Sequence, residues 1–236
     1  MRTDINDIAS AASQFEHHLV PISPTAAVRL KKDHLNGRTT DRNGLTASNS
    51  TIENMRIDLL TMFKNDLING VSRDHALVHA HSEYAIKVIE NKMGNCSEQA
   101  LLVGMFIKAT LETGLKLRGY SKDEIEKADI QLAIAENGDH GGDHTACVLS
   151  YDIGGEYYLI ADPWLKGATY TQQEASEFYA SHLVNPDESF HFDKVCKDKT
   201  FVVNNDACVT TVMQWLINNY GIDLSSKHPF DEYLQY

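Results

Sequence analysis

A chain of 236 residues that is 42% hydrophobic and 23% charged can bury a large core, which excludes disorder as its main state. Its net charge of −12 repels phosphate backbones and anionic lipid, so neither nucleic acid nor a charged membrane surface is an expected partner. There is no apolar run long enough to span a bilayer, and the N-terminus, acidic early and without an apolar segment, does not read as a Sec-type signal peptide.

Residues 1–20 read as a helix with Ala11, Ala12, Phe15 and Leu19 along one side. Pro21-Ile22-Ser23-Pro24 breaks it, and the polar, turn-rich run from Asn36 to Gly44 predicts an exposed loop reaching to residue 50. Ser50 or Thr51 caps the next helix, whose apolar face runs from Ile52 and Met55 through Ile57, Leu59, Leu60, Met62 and Phe63 to Leu67, with Gly70 as its stop. A further helix spans Arg73–Lys92. Met93-Gly94-Asn95 then makes a turn that opens at Cys96 into a run so apolar, through Ile107, that the helix is expected to be buried on all sides.

The period changes after residue 128. Asp129–Ala135, His144–Tyr151 and Tyr157–Ala161 alternate as strands, with Gly154-Gly155 as a hairpin turn between the last two. Thr171 caps a short helix to about Ser181, Thr200–Val203 reads as a fourth strand, and Asp206 caps a last helix ending at Tyr220-Gly221. Helices followed by strands, without βαβ alternation, predict an α+β protein with helices packed on an antiparallel sheet.

Four cysteines occur, at 96, 147, 196 and 208, without CxxC spacing. A chain this long does not need disulfides, and Cys147, Cys196 and Cys208 are expected to be reduced and mostly buried. Cys96 differs by position. A helix start carries N–H groups without intrahelical acceptors and a partial positive charge, which favour a thiolate and can receive an oxyanion. His144 opens a strand after the Gly-rich stretch Asn137–Asp143, where it can lean over a helix start and protonate a leaving amine. Asp162 ends the paired strand of the hairpin, where its carboxylate can accept from the imidazole Nδ1–H. Taken singly, these are a buried thiol, an exposed loop histidine and an Asp-Pro turn. Their order along the chain carries the functional reading.

Gly94-Asn95-Cys96-Ser97-Glu98-Gln99-Ala100 resembles the G-x-C-x-x-x-A nucleophile motif of the papain-like and transglutaminase-like cysteine hydrolases. Asp143–Val148 resembles their His strand and Leu159–Trp164 their Asp strand, in the same order. The resemblance covers three short motifs between Gly94 and Trp164. It implies a papain-like fold, a Cys96–His144–Asp162 triad, a thioester on Cys96 and no cofactor or metal. It places the catalytic domain at 51–236, behind an N-terminal appendage at 1–50.

Size, acidity and the missing signal peptide are similar to those of bacterial effector proteases and glutamine deamidases. The expected substrate is then a protein, including a host protein, and the expected location is the cytoplasm or, by a signal-independent route, a host cell. Two departures stand out: the only Gln upstream of Cys96 is the distant Gln14, and both tryptophans lie downstream. The backbone N–H of Cys96 is the favoured oxyanion donor, Asn95 is a candidate for the second, and Trp164 a candidate cleft residue.

Zinc is a rival reading, on His140, His144 and Cys147 or on His75, His79 and His81. Against it, His144 and Cys147 are an odd number of residues apart and point to opposite faces of a strand. A non-catalytic binding module on the same fold is a second rival. Water, an amine and a coenzyme thioester all remain open as reactants, and selectivity is expected to reside in loops 36–50 and 164–170.

Overall fold

The alternating second half builds one antiparallel sheet, with strands β1 (Gln131–Asn137), β2 (Thr145–Asp152), β3 (Glu156–Ala161), β4 (Thr169–Tyr170) and β5 (Phe192–Val195) in the order β4-β3-β2-β1-β5. This computed structural model describes residues 1–29, 42–137, 144–165, 169–182 and 191–230, with backbone alone for 42–47. The β2–β3 hairpin is in the register Cys147↔Ala161 and Asp152↔Glu156, closed by Asp152 Oδ1, which accepts from the N–H groups of Gly154 and Gly155.

Alternation gives the sheet two faces. Leu132, Ile134, Cys147, Leu149, Leu159 and Ala161 face the helices. Ala135, Ala146, Val148 and Ile160 face the other way, toward Trp164 and Tyr179. On the first face lies α5 (Cys96–Leu117), apolar and buried through its first three turns as its composition requires. Around it pack α1 (Arg2–Leu19), α4 (Arg73–Asn91), α8 (Lys197–Val203) and α9 (Asp206–Tyr220). Phe15 of α1 sits between Phe106 of α5 and Phe230, with ring centroids 5.1 and 4.4 Å away. The protein is therefore α+β, and no described helix is long and apolar enough to cross a membrane.

Several sequence expectations change. Residues 42–50 are not loop: α3 runs Arg42–Ile68, so a cap at Ser50 or Thr51 and a domain boundary at residue 50 both fall inside a helix. Residues 30–41 lie outside the described residues. Of the broad apolar face expected on α3, Ile52 and Met55 are buried but Ile57, Leu60 and Leu67 are exposed. Pro24 does not prevent a helix; it occupies the first position of α2 (Pro24–Arg29), where a missing N–H costs nothing. α1 packs in the main core.

Thr200–Val203 is helical rather than a fourth strand. The Cys196 N–H donates to Ile134 O at 2.8 Å, and Thr200 Oγ1 accepts from the Ile134 N–H at 3.0 Å. A hydroxyl and a turn N–H thus satisfy the β1 edge that a strand would have covered. The strand on that edge is the four-residue β5. Asn205, not Asp206, caps α9, accepting from the N–H groups of Ala207 and Cys208.

Gly104 lets α5 approach β1 and α8, since a Cβ there would lie 3.0 Å from Val203 Cγ1 and 3.1 Å from Ile134 Cδ1. Gly104→Val should lower stability by about 2 kcal/mol through overpacking, read as a lower urea midpoint with an unchanged slope.

Candidate active site

The turn before Cys96 is fixed from three directions. Gly94 N–H donates to Ile22 O at 3.0 Å, tying the turn to the segment after α1. A Cβ on Gly94 would lie 2.8 Å from Glu98 Cβ, so only glycine fits. Asn95 is the extended N-cap of α5: its N–H donates to Glu98 Oε2 at 3.0 Å, and its Oδ1 accepts from Thr25 N–H at 3.1 Å. The Glu98 carboxylate is 4% exposed and also accepts from Tyr84 O–H at 2.6 Å and from two Arg56 nitrogens at 3.0 Å each. One buried carboxylate therefore joins α3, α4 and the turn before Cys96. Asn95 is engaged structurally through both its N–H and its Oδ1, and Cys96 stands at the first position of the helix.

The hairpin brings His144 and Asp162 together. His144 Nε2 lies 2.5 Å from Asp162 Oδ2. The sequence expectation placed the carboxylate on Nδ1; the structure places it on Nε2, which leaves Nδ1 as the ring nitrogen able to face the thiol. Tyr179 O–H donates to the same Asp162 Oδ2, and its oxygen lies 3.0 Å from His144 Nε2. Asp162 Oδ1 accepts from Trp164 N–H at 2.9 Å. His144 and Tyr179 are wholly covered and Asp162 nearly so, while Cys96 is 7% exposed.

Trp164 is fully buried, its ring 4.0 Å from the imidazole centroid. Its indole N–H donates to Gln99 Oε1 at 3.2 Å, and Gln99 Nε2 donates to Val20 O. It packs as a cover on His144 rather than as the wall of an open cleft.

Two buried ionisable groups of opposite sign stabilise each other's charge. Burial pushes the imidazole down, but the Asp162 charge and hydrogen bond outweigh it, and a hydrogen bond and charge from Cys96 add to them, raising His144 to about 9. Burial pushes Asp162 up, but the His144 charge and the hydrogen bonds from His144, Tyr179 and Trp164 hold it below the usual carboxylate range. Burial raises the thiols of Cys147, Cys196 and Cys208, the last two to about 11. None of the four cysteines is in a disulfide; Cys147 and Cys208 are buried and Cys196 half-buried.

Among the described residues, no three His, Cys, Asp or Glu side chains are grouped to hold a metal. His140 lies outside the described residues. Cys147 faces the helices, whereas the His144 ring packs among Trp164, Tyr179 and Phe192 on the other side.

Tyr179 and Gln99 were not anticipated. Tyr179 had a signal: Thr171-x-x-Glu174 forms a reciprocal cap that fixes α7 (Gln172–His182) and turns Ala175 and Tyr179, four apart, inward. Gln99 had none beyond its place in the first turn of α5. Comparison with protein-family models, curated proteins and solved structures finds no match to this chain.

Glu98→Ala would strand the Tyr84 hydroxyl and loosen the Cys96 turn. A loss of about 3 kcal/mol is expected in urea unfolding. The His144–Asp162 pair also predicts a pH window. The His144 contribution is complete below its ordinary value of 6.5 and fades as pH rises through about 9; the Asp162 contribution is present above its ordinary 3.8 and is lost as pH falls below it. The melting-temperature deficit of Asp162→Asn should therefore be widest from about pH 4 to 6.5 and narrow toward about pH 9.

Proposed function

We propose that this chain is a cysteine-dependent amide hydrolase or acyltransferase of the papain-like and transglutaminase-like kind, acting on a protein substrate through a thioester at Cys96. The observation that carries the reading is the covered His144–Asp162 pair, bonded through Nε2, beside a cysteine at the first position of a buried helix.

The imidazole, raised to about 9, carries the proton, and the reacting form in this reading is the ion pair in which Cys96 attacks as its thiolate. The sulfur attacks the carboxamide carbon, forming the S–C bond. The charge on oxygen falls beside the first N–H groups of α5. When the tetrahedral species collapses, the C–N bond breaks and His144 gives its proton to the departing nitrogen. Water or an amine then attacks the thioester, surrendering a proton to His144, and the thiolate returns. Water makes the protein a protease or glutamine deamidase, and an amine makes it a transglutaminase-type transferase.

The depth of the site favours one second reading, a non-catalytic binding module on the same scaffold, because Cys96 is only 7% exposed.

Intact-mass analysis separates these readings. Purified proteins bearing exposed glutamines are incubated with wild type or Cys96→Ala, with and without a primary amine. A gain of about one dalton reports deamidation, fragments report cleavage, and a gain near the amine's mass reports transfer, each absent with Cys96→Ala. No wild-type-specific change, together with no preferential iodoacetamide labelling of Cys96 over the three raised thiols, would overturn the enzyme reading.

A further inference from the structure

We propose that Tyr179 is a positioning residue of this site: its phenol shares Asp162 Oδ2 with His144, and so sets how firmly the imidazole holds its proton. The proposal rests on the Cys96 reading above and adds a residue that the triad does not contain.

Tyr179 reaches Asp162 from α7, which packs against β3 and β4. It is wholly buried. The carboxylate has two oxygens with different loads. Oδ1 receives the Trp164 backbone N–H, a bond made by the chain itself. Oδ2 receives both the imidazole Nε2 and the phenol. A second donor on one carboxylate oxygen draws electron density away from the first, so the phenol weakens the grip of Asp162 on the imidazolium.

Core packing does not require this hydroxyl. The Tyr179 ring already fits between His144 and Phe192, with centroids 5.4 and 6.2 Å away, and phenylalanine would fill that space. The titratable groups acting on the phenol are Asp162, Cys96 and Tyr170, and those acting on the imidazole are Asp162 and Cys96. Burial and the Asp162 charge keep Tyr179 protonated well above its ordinary range, so it acts as a donor wherever the imidazole titrates. A phenol here guards against too strong a pair: an imidazolium held too tightly cannot release its proton to a departing nitrogen.

The test follows Cys96 carboxymethylation by iodoacetate against pH. The reagent's anion is drawn by the imidazolium, so its rate falls when His144 loses its proton. Tyr179→Phe should move that alkaline midpoint upward by about one pH unit, since a hydrogen bond to a charged group is being withdrawn. Replacing Tyr179 by 3-fluorotyrosine, which keeps ring and hydroxyl but donates more strongly, should move it downward. The same midpoint read from the His144 ring-proton shift by NMR makes the test independent of whether Cys96 reacts. An inert Cys96 with both midpoint shifts intact would defeat the enzyme reading and leave the role of Tyr179 standing. A midpoint that stays put in both variants, or moves the opposite way in either, would overturn the role of Tyr179.

Discussion

The first three turns of α5 are apolar on nearly every side, so they must be wrapped on every side. That requirement organises the rest. The sheet supplies one wall through Ile134, Cys147 and Leu149, and α1 supplies another through Ile5, Ile8 and Phe15; α4, α8 and α9 close the remainder. A helix wrapped this way still has to begin somewhere, and its first residue is a cysteine. The N–H groups at its start lie beside the end of the sheet, where polar residues gather. The candidate site is thus the place where the best-buried helix of the fold meets its own backbone polarity.

Two buried carboxylates hold that place, and they do different work. Glu98 is structural: it receives Tyr84, Arg56 and the Asn95 N–H, and so locks the turn from below. Asp162 anchors the imidazole: it receives His144, Tyr179 and the Trp164 N–H. Neither could stay charged in such cover without its donors, because an unpaired buried charge costs several kcal/mol. The Gln99–Trp164 bond links the two halves, running from the first turn of α5 to the residue that covers the imidazole.

Much of this was legible in the amino acids. The apolar run after Cys96 predicted a buried helix, and the alternation of 144–151 and 157–161 predicted the hairpin and with it the meeting of His144 and Asp162. What escaped was decided by partners distant in sequence. Thr200–Val203 is rich in β-branched residues and is a helix only because Thr200 and Cys196 satisfy the Ile134 backbone. Pro21–Pro24 does end α1, as read, but its neighbours do not reveal that Pro24 also starts α2. The choice of Nε2 over Nδ1 depends on ring rotation against Trp164 and Tyr179, which no local pattern encodes. Tyr179 itself lies in a helix whose cap was visible but whose docking place was not.

The groups around Cys96 come from widely separated parts of the chain. Ile22, Thr25, Arg56 and Tyr84, which help shape its turn, precede it, and Glu98, through which Arg56 and Tyr84 act, lies just after it. His144, Asp162 and Tyr179 all follow it. The sheet, α8 and α9 that wrap α5 follow it as well, so on a ribosome the helix and its first residue are enclosed only when most of the chain has emerged. A chain cut short before the hairpin therefore lacks both a wall of α5 and the His144–Asp162 pair, and its Cys96 has neither enclosure nor charged neighbour.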